Sequence, residues 1–401
     1  MKKKILFTCG ILKVGGVQKS LIALLNNIDY ELYDVDLMLT ELKGEMLSSV
    51  PKSVNIIRAP EGILALQFSS ETFIKGVYYT LSNFTLFLKY INYCFLIWSN
   101  RSKVKPLRQK FWSNNKNSIY LNDYSDKYYD VAISYAGALG LWNEFIIDKV
   151  KAKKKICWIH GNYSVFGSKT NIEKSYLQKF DNVITVTETA KVLLESEIPE
   201  IKDKVDIIYN IIDKNHISKL AELDNVFKDE FDGLRFVSVS RLDKGKGFDM
   251  AIGAMAKAIN KGCNIKWYIL GGGAEYENLN EIIKRNKMQD NIFLCGTILN
   301  PYPYIKFSDV FFHPSKGEGK SMSVDEAKLL EKPILITDYP TVNDQIEDSK
   351  TGLIVPISAE GLYRGIMEIY RDPEMRKTLS NNLSLLDNTN KTIDKFLNLI
   401  K

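Results

Sequence analysis

The feature that most constrains the fold is an alternation along the chain between short apolar runs and segments with helical periodicity. Most of the apolar runs lack polar–apolar alternation, which predicts strands buried on both faces of a parallel sheet. Helical patterns lie between them, and this order predicts an α/β fold. The strand candidates are KILFTC, YDVDLMLT, DVAISY, KKICWIH, NVITVT and VDIIYN in the first half, and LRFVSVS, IKWYILG, NIFLCG, DVFFHPS, KPILIT and TGLIVP in the second.

The length of 401 residues exceeds what one hydrophobic core usually serves, and the strand candidates fall into two groups. We therefore predict two doubly wound, Rossmann-like domains. The first covers residues 1–212 and contains a helical insertion at about 60–128, where no clear strand occurs. A polar linker at 213–232 precedes the second domain at 233–385, and a C-terminal helix at 386–401 is expected to pack back on the first domain.

The net charge, the cysteines and the N-terminal sequence indicate where in the cell the protein is expected to act. The net charge of +6 suits a surface that meets phosphates or anionic lipid, although inert proteins carry as much. The five cysteines contain no CxxC pair, which favours reduced core thiols and a cytoplasmic protein. The basic and apolar N-terminus is too short in its apolar part for a signal peptide, so we interpret it as a first buried strand. No nucleic-acid partner is predicted.

The insertion contains an apolar, aromatic stretch, VYYTLSNFTLFLKYINYCFLIW, which Asn83, Lys89 and Asn92 interrupt, so we do not interpret it as a membrane span. Two interpretations stay open: residues 77–110 lie on an anionic inner membrane surface, or the helix packs on its own domain. The predicted apolar face is Phe84, Phe87, Tyr90, Ile91, Cys94 and Phe95, with Trp98 and Trp112 as interfacial side chains. The basic run is Arg101, Lys103, Lys105, Arg108 and Lys110.

Two loops after predicted strands have the composition of anion sites. In CGILKVGGVQKSLIALL, Gly15 and Gly16 precede a helix, and glycines let a backbone approach a ligand closely. In VSVSRLDKGKGFDMAI, Arg241 and Lys246 follow a strand and are placed to clamp a pyrophosphate. The alternatives are a tight strand-to-helix turn for the first loop and a solvated turn for the second.

The stretch KGEGKSMSVDEAKLLE places two carboxylates eight positions apart, Glu318 in a glycine loop and Glu326 on the helix that follows. The backbone amides of Lys320, Ser321 and Met322 precede this helix and are predicted to face a phosphate or sugar oxygen. Carboxylates accept hydrogen bonds from sugar hydroxyls, so Glu326 is predicted to reach the paired hydroxyls of a ribose. The alternative is that both glutamates are exposed surface residues.

The second half of the chain resembles the retaining glycosyltransferases of family 4, which have the GT-B architecture. The matching pieces, in the family's order, are SRLDKGKGFDMAI, YILGGGAEYENL, NIFLCGTILNPYPYIKFSDVFFHPSKGEG and VDEAKLLEKPILITDYPTVNDQIEDSKTGLIV. The pair of Glu318 and Glu326 matches the E-x7-E hallmark of that family. The resemblance covers about residues 1–30, 155–215 and 233–356, and it implies two Rossmann-like domains facing each other across a cleft.

For the first domain, the resemblance implies that Gly15 and Gly16 lie near the donor phosphate. It also implies that His160, in CWIHGNYS, is a catalytic-site residue that contacts the transferred sugar. Two positions depart from the family pattern: Gln18 stands where glutamate is common, and Ile211 stands where glycine often follows the asparagine.

For the second domain, the resemblance implies that Arg241 and Lys246 neutralise the pyrophosphate of the donor. Glu318 is then the catalytic-site residue that binds donor-sugar hydroxyls next to the reacting carbon, and Glu326 binds the nucleotide ribose. The departures here are Lys320, Ser321 and Ser323. They bear on the identity of the donor sugar rather than on the reaction class.

The predicted function is therefore transfer of a sugar from a nucleoside diphosphate sugar, expected to be a UDP sugar, to a glycan acceptor. We expect a lipid-linked acceptor, cell-surface polysaccharide biosynthesis, and a cytoplasmic protein that can bind peripherally to the inner membrane face. No cofactor and no metal are predicted, since the DxD-like Asp34-Val-Asp36 falls inside a predicted strand. The alternatives are a nicotinamide dehydrogenase and a non-catalytic nucleotide-sugar-binding protein.

Overall fold

The chain folds around two parallel β-sheets, each in a unit of its own. The computed structural model describes residues 2–60, 63, 77, 80–81, 84–99, 104–115, 127–135, 141–161, 170–223, 226–385 and 391–401. The first unit is Met1–Ile211 together with Lys391–Lys401, and the second is Ile212–Asn390. Each unit is built on one parallel sheet with helices, which confirms the predicted α/β class with two parallel-sheet domains.

The first unit contains a seven-stranded sheet in which every recorded strand pair is parallel. Its strands are β1 (Lys3–Cys9), β2 (Tyr33–Leu39), β3 (Asn55–Arg58), β4 (Tyr128–Ser134), β5 (Lys151–Ile159), β6 (Asn182–Thr185) and β7 (Val205–Ile207). Their order is β3-β2-β1-β4-β5-β6-β7, so the direction of winding reverses between β1 and β4. Six of the strands match the predicted runs, and β3 is the additional one.

Helices follow most of these strands along the chain. They are α1 (Gly16–Asn26), α2 (Phe84–Ser99), α3 (Val104–Asn115), α4 (Trp142–Lys149), α5 (Asn171–Leu177) and α6 (Glu188–Glu197). Two of them begin at a threonine cap: the Thr170 hydroxyl accepts from the amide of Glu173, and Thr187 accepts from the amide of Ala190. Such caps satisfy amides that the first helical turn leaves without a partner.

The second unit contains a six-stranded sheet, again with only parallel pairs recorded. Its strands are β8 (Leu234–Val239), β9 (Ile265–Leu270), β10 (Ile292–Leu294), β11 (Val310–His313), β12 (Ile334–Thr337) and β13 (Leu353–Val355). The order β10-β9-β8-β11-β12-β13 places the reversal of winding between β8 and β11. Open sheets of this kind bind ligands beyond the carboxyl ends of the strands at such a reversal.

Helices cover both faces of the second sheet. They are α7 (Lys214–Ala221), α8 (Phe248–Asn260), α9 (Tyr276–Arg285), α10 (Tyr302–Phe307), α11 (Met322–Leu329), α12 (Ala359–Arg371) and α13 (Pro373–Ser384). One core cluster holds side chains of α8, α9 and α12, and another holds side chains of α7, α10 and α11. The segment predicted as a linker therefore contains α7, which belongs to the second unit.

The last helix, α14 (Lys391–Ile400), belongs to the first unit rather than to the second. Its apolar side chains join the core on one face of the first sheet. The ring of Phe396 lies 6.2 Å from that of Phe7 and 5.8 Å from that of Trp158, measured between centroids. An ion pair of 2.8 Å between Lys395 and Asp206 adds to this packing.

The insertion helix α2 is apolar on two sides. Leu86, Tyr90, Tyr93, Cys94 and Ile97 are buried in the core of the first unit. The exposed stripe, as we call it, consists of Phe84, Leu88, Ile91, Phe95 and Trp98. The predicted apolar face was therefore wrong in detail, because it combined members of the buried and the exposed sides. No helix within the described residues is long and apolar enough to cross a membrane.

The part of the basic run that the structure describes differs in exposure from residue to residue. Trp112, predicted at an interface, is fully buried and donates to Asp148 over 2.9 Å. Arg108 is partly buried and its charge acts on the buried Glu144, whereas Lys110 is exposed. The other members, Arg101, Lys103 and the side chain of Lys105, lie outside the described residues.

Candidate active site

The loops that follow β8 and β11 meet at the reversal point of the second sheet. Gly247 has a φ of +67°, and a Cβ there would lie 2.1 Å from the carbonyl oxygen of Pro314. The amide of Lys316 donates to the carbonyl of Gly245 over 2.7 Å. Glycine is therefore required at 247 both by conformation and by close approach, and the two loops are fixed to each other.

A third loop, after β9, packs onto the first of these. A Cβ on Gly271 would lie 1.8 Å from the carbonyl oxygen of Ser240, and the residue has a φ of +156°. The amide of Leu242 donates to the carbonyl of Gly272 over 2.9 Å. The glycines after β9 thus serve the close packing of three loops at the carboxyl end of the sheet.

Glu318 and Lys246 come together in these loops. The Nζ atom of Lys246 lies 2.6 Å from Oε1 of Glu318, and Nε2 of His313 lies 3.0 Å from the same oxygen. Burial raises the pKa of Glu318, but His313 and Lys246 outweigh it and lower the pKa to about 2. Glu318 is therefore a carboxylate at neutral pH, and with 12% of its side chain exposed it is not a surface turn residue.

Arg241, in the same loop after β8 as Lys246, has a different acidic partner. Its side chain is 74% exposed and pairs with Asp243 at 3.2 Å. Because this guanidinium is exposed in the loop after β8, it is accessible to an anionic ligand from solvent.

Glu326 lies on α11 and is buried, with 1% exposure. Its Oε1 accepts a hydrogen bond of 3.1 Å from the hydroxyl of Tyr302. Burial, together with the charge of Glu326, raises the pKa of Tyr302 far above the usual range, so the tyrosine stays a donor. The alternative of a solvated helix-surface glutamate is thereby excluded.

The start of α11 is held by Gln345. The amide of Ser321, predicted to face a ligand, instead donates to Oε1 of Gln345 over 2.8 Å. Nε2 of Gln345 donates to the carbonyl of Ser321 and to Asp325, each over 2.9 Å. Lys320 pairs with Asp325 at 3.8 Å, and Met322 is the first residue of the helix. This amide of the predicted anion site is therefore engaged within the protein.

In the first unit, His160 follows β5 and its Nδ1 lies 3.0 Å from Oδ1 of Asn210. Its ring stacks on Trp158 with centroids 5.5 Å apart and planes at 8°. Burial lowers the pKa of His160 to about 4, so the imidazole is neutral at physiological pH. Gly15 caps α1 and Gly16 is its first residue.

Ser20 lies on α1, the helix that follows Gly15, and it connects this helix to the segment after β7. Its Oγ accepts from the amide of Ile211 over 3.0 Å and from the hydroxyl of Tyr135 over 3.1 Å. The segment that contains Asn210 is thereby fixed to α1.

Sequence reasoning missed four residues that hold the predicted ones: His313, Tyr302, Gln345 and Asn210. Only His313 gave a local signal, as one of three histidines in the chain, directly before the proline that ends a strand run. Tyr302 and Gln345 lie 24 positions from Glu326 and Ser321 in sequence, and Asn210 lies 50 positions from His160. Such pairs are visible only once the chain is folded.

The DxD-like string lies inside β2, as predicted. The carboxylate of Asp36 accepts from Tyr129 over 2.6 Å and from Asn55 over 2.7 Å. In the part of the chain that the structure describes, no group of three or more His, Cys, Asp or Glu side chains is arranged to hold a metal ion.

Residues 224–384 match the family model described as Glycosyl transferases group 1. Over these residues the chain is similar to the group 1 glycosyl transferases. The matched region contains Arg241, Lys246, Glu318 and Glu326, together with the three packed loops. The resemblance deduced from the sequence is thereby confirmed.

Relatives with curated names support the same family. An uncharacterized glycosyltransferase of Methanocaldococcus jannaschii is 26% identical over 274 residues, covering 57% of this chain and 67% of that one. The N-acetylgalactosamine-N,N'-diacetylbacillosaminyl-diphospho-undecaprenol 4-alpha-N-acetylgalactosaminyltransferase of Campylobacter jejuni is 31% identical over 180 residues, covering 44% and 47%. The chain thus spans about two thirds of the first relative and about half of the second.

The fold has solved counterparts. HepE from Anabaena, in complex with UDP, has a TM-score of 0.66 and 16% sequence identity, covering 100% of this chain and 99% of that one. This likeness confirms that the two sheets belong to a GT-B fold, as the sequence predicted.

Proposed function

We propose that the protein is a retaining glycosyltransferase that moves a sugar from a nucleoside diphosphate sugar to a hydroxyl group of a glycan acceptor. A UDP sugar is the proposed donor, a lipid-linked glycan the proposed acceptor, and cell-surface polysaccharide biosynthesis the proposed process. The observation that carries the proposal is the ionised Glu318, held by Lys246 and His313 where the sheet of the glycosyl transferase domain reverses its winding.

Charge at this position suits the chemistry of glycosyl transfer. The bond between the anomeric carbon and the donor phosphate breaks, and its electron pair goes to the pyrophosphate. The acceptor hydroxyl oxygen bonds to that carbon on the same face, and its proton passes to the leaving phosphate oxygen. Lys246 and the exposed Arg241 would stabilise the growing negative charge, and one preorganised contact of this kind contributes about 3 kcal/mol.

The two glutamates would then share recognition of the donor. An ionised carboxylate accepts hydrogen bonds and donates none, so Glu318 suits the hydroxyls of the sugar beside the reacting carbon. Glu326 is proposed to bind the ribose. Gly15, Gly16 and His160 keep the roles that the family resemblance implies, and the neutral imidazole of His160 suits a sugar hydroxyl better than a phosphate.

The donor and acceptor proposals draw on the relatives. The structure of HepE contains UDP, and the Campylobacter relative is named for a saccharide on diphospho-undecaprenol. The exposed stripe of α2 suits an acceptor that resides in a membrane, because large exposed apolar patches mark interaction sites. Beside it, Lys89 and Lys110 line a cavity of about 390 Å³ between α2 and α3, where cations can meet anionic headgroups.

The competing functions have less support. A nicotinamide dehydrogenase would need a dinucleotide fingerprint, and the first glycine loop lacks the GxGxxG spacing. Against a non-catalytic sugar-nucleotide binder, every charged residue that the chemistry would need is present in the chain.

Calorimetry with UDP and GDP tests the proposal, followed by a screen of nucleotide sugars for hydrolysis or transfer. We expect binding of one nucleotide at micromolar to millimolar concentration and turnover of its sugar derivative. If neither nucleotide binds at millimolar concentration, the proposal is wrong. Binding without any turnover would favour the non-catalytic alternative.

A further inference from the structure

His313 is a buried polar residue at the end of a central strand. It is the last residue of β11, which pairs with β8 on one side and β12 on the other. Its side chain is only 3% exposed. Its ring lies 6.3 Å from that of Phe311 at an angle of 13°, and edge-on to Tyr339 at 6.2 Å. An apolar side chain would fit these neighbours, so packing alone does not call for an imidazole here.

Within the described residues, the one polar partner of the imidazole is Glu318. His313 Nε2 and Lys246 Nζ both approach Oε1 of this carboxylate, at 3.0 and 2.6 Å. No hydrogen bond to Oε2 is recorded among the described residues, while the hydroxyl of Thr341 donates to the backbone carbonyl of Glu318 over 3.1 Å. Two donors on one oxygen fix the carboxylate and leave the other oxygen for a ligand.

We propose that His313 is a positioning residue: its Nε2–H donates to Oε1 of Glu318 and orients Oε2 to accept a hydroxyl of the donor sugar. This inference rests on the proposed function, because it assigns the ligand of Oε2 from that function. His313 itself touches no substrate. It acts through the carboxylate, in the way that groups around a site hold the residues that bind the ligand.

The backbone around His313 is suited to this task. The hydroxyl of Thr337 donates to the carbonyl of His313 over 3.3 Å, and the hydroxyl of Ser238 donates to that of Phe312 over 2.5 Å. A donor on a strand fixed from both sides is positioned more accurately than one on a loop. Lys246, by contrast, lies in a loop and carries a flexible stem.

Removing His313 should also change how Glu318 titrates. The titratable groups that face Glu318 are Lys246 from the loop after β8, His313 from β11 and Tyr339 from the segment after β12. Tyr339 stays neutral because burial raises its pKa, with the charge of Glu318 as a further cause. Loss of the histidine donor therefore leaves burial opposed by Lys246 alone, and the pKa of Glu318 must rise.

The test compares three variants of the full chain. His313→Leu removes the donor, His313→Gln keeps an N–H donor, and His216→Gln changes an exposed histidine of α7 as the matched control. For His313→Leu we expect kcat to fall by about 30-fold with the KM for the donor changed less than about threefold. UDP affinity should stay the same, because His313 is proposed to act on the donor sugar through Glu318 and not on the nucleotide. The glutamine variant should recover most of kcat, and the control should match the wild type.

Nitrogen-15 NMR of histidine gives a readout that needs no turnover. The chain has only three histidines, so the signals can be assigned by substitution. We expect a proton on Nε2 of His313, and a change at this signal alone in Glu318→Gln. The NMR measurement tests the role of His313 even if His313→Leu does not fold, or if the protein does not catalyse the proposed transfer.

Two results would overturn the inference. One is a folded His313→Leu enzyme with wild-type kcat. The other is a His313 signal that carries its only proton on Nδ1, since the nitrogen facing Glu318 could then not donate. Failure of the proposed function would look different, because wild-type protein would turn over no nucleotide sugar while the NMR result remained interpretable.

Discussion

At the scale of single residues, the two glutamates of the E-x7-E pair have different surroundings. Glu318 keeps 12% of its side chain exposed and is held by two donors on one oxygen. Glu326 is 1% exposed and accepts from the hydroxyl of Tyr302. Two carboxylates with different exposure and different hydrogen-bond partners are expected to bind different parts of a ligand. This expectation is the basis of the first prediction.

Glu318→Gln should lower transfer by about 100-fold or more while leaving the affinity for nucleoside diphosphate unchanged, because its proposed partner is the sugar. Glu326→Gln should weaken nucleotide binding by about 1–3 kcal/mol, the value of a lost charged hydrogen bond. Calorimetry with the nucleotide and steady-state kinetics measure the two effects, with exposed Glu374→Gln as the control. If both variants bound nucleotide equally well, the division of roles would be wrong.

The pH profile gives a second residue-scale prediction. The pKa of Glu318 is lowered to about 2, so its ionised form is complete above about pH 4 and is lost only as pH falls through about 2. We therefore expect no acid limb from Glu318 in wild-type kcat/KM between pH 5 and 8. A limb near pH 5 that disappeared in Glu318→Gln would contradict the ion-pair geometry.

Much of this site could be predicted from the sequence, because the charged residues follow strand-like runs directly. Lys246 and Glu318 were placed in loops at strand ends from local pattern alone. Their supports could not be predicted: His313 resembles a core residue at a strand end, and Gln345 reaches Ser321 only through the fold. The amide of Ser321 is already hydrogen-bonded to Gln345. The sequence at the start of a helix does not show whether its backbone amides have such a partner.

At the scale of elements, α2 and α3 show how far periodicity alone can be taken. The sequence indicated a helix and an apolar face, yet α2 carries apolar side chains on both its buried and its exposed side, so periodicity could not separate the two. Strand β3 was missed for a related reason. It has four residues, lies at the sheet edge, and ends in exposed polar side chains, so it lacks the apolar run that marks the central strands.

The exposed stripe predicts reversible binding to membranes. We expect co-sedimentation with anionic liposomes that falls with added salt, since each cation near the surface contributes about 1 kcal/mol. Phe95→Ser with Trp98→Ser should abolish it, and Lys89→Gln with Lys110→Gln should weaken it. Exposed Leu385→Ser in the second unit is the matched control. Equal sedimentation with neutral liposomes, or none with either, would indicate that the stripe does not dock on an anionic surface.

The buried carboxyl group of Glu144 predicts that the stability of the first unit depends on pH. Glu144 on α4 is 1% exposed, and burial raises its pKa to about 7, against hydrogen bonds from its own backbone and Gln109 and the charge of Arg108. The folded state thus binds this proton more tightly than the unfolded chain does. The contribution of Glu144 to the free energy of unfolding is therefore highest below about pH 4.5 and falls as pH rises to about 7.

Glu144→Gln should remove this loss, worth about 3 kcal/mol at most, and raise the melting temperature more at pH 8 than at pH 5. Differential scanning calorimetry at both pH values measures it, with exposed Glu31→Gln as the control. A variant that destabilised equally at both pH values would show that Glu144 is ionised in the folded state.

At the scale of the whole molecule, we propose that side chains supply the positive charge that stabilises the leaving group. Lys246 and Arg241 follow β8, and the carboxylate of Asp36 is already engaged by Tyr129 and Asn55. We therefore predict that EDTA leaves transfer unchanged within about twofold and that added manganese gives no stimulation. Turnover that EDTA abolished and manganese restored would point to a different catalytic architecture.

The division into two parallel sheets could be predicted because buried strands leave continuous apolar runs. The exact junction could not, since the polar segment after β7 reads as a linker yet forms α7. That helix contributes Ile217 and Ala221 to the core of the second unit. A short amphipathic helix and a solvated linker share the same composition, and only packing distinguishes them.

The return of α14 to the first unit sets an order of events on the ribosome. The chain leaves this unit after Ile211 and comes back at Lys391, and Phe396 then fills a place beside Phe7 and Trp158. While the intervening residues are being translated, the nascent first unit therefore exposes an apolar surface that its own chain has not yet supplied. The core of the first unit can therefore be completed only after the whole of the second unit has been synthesised.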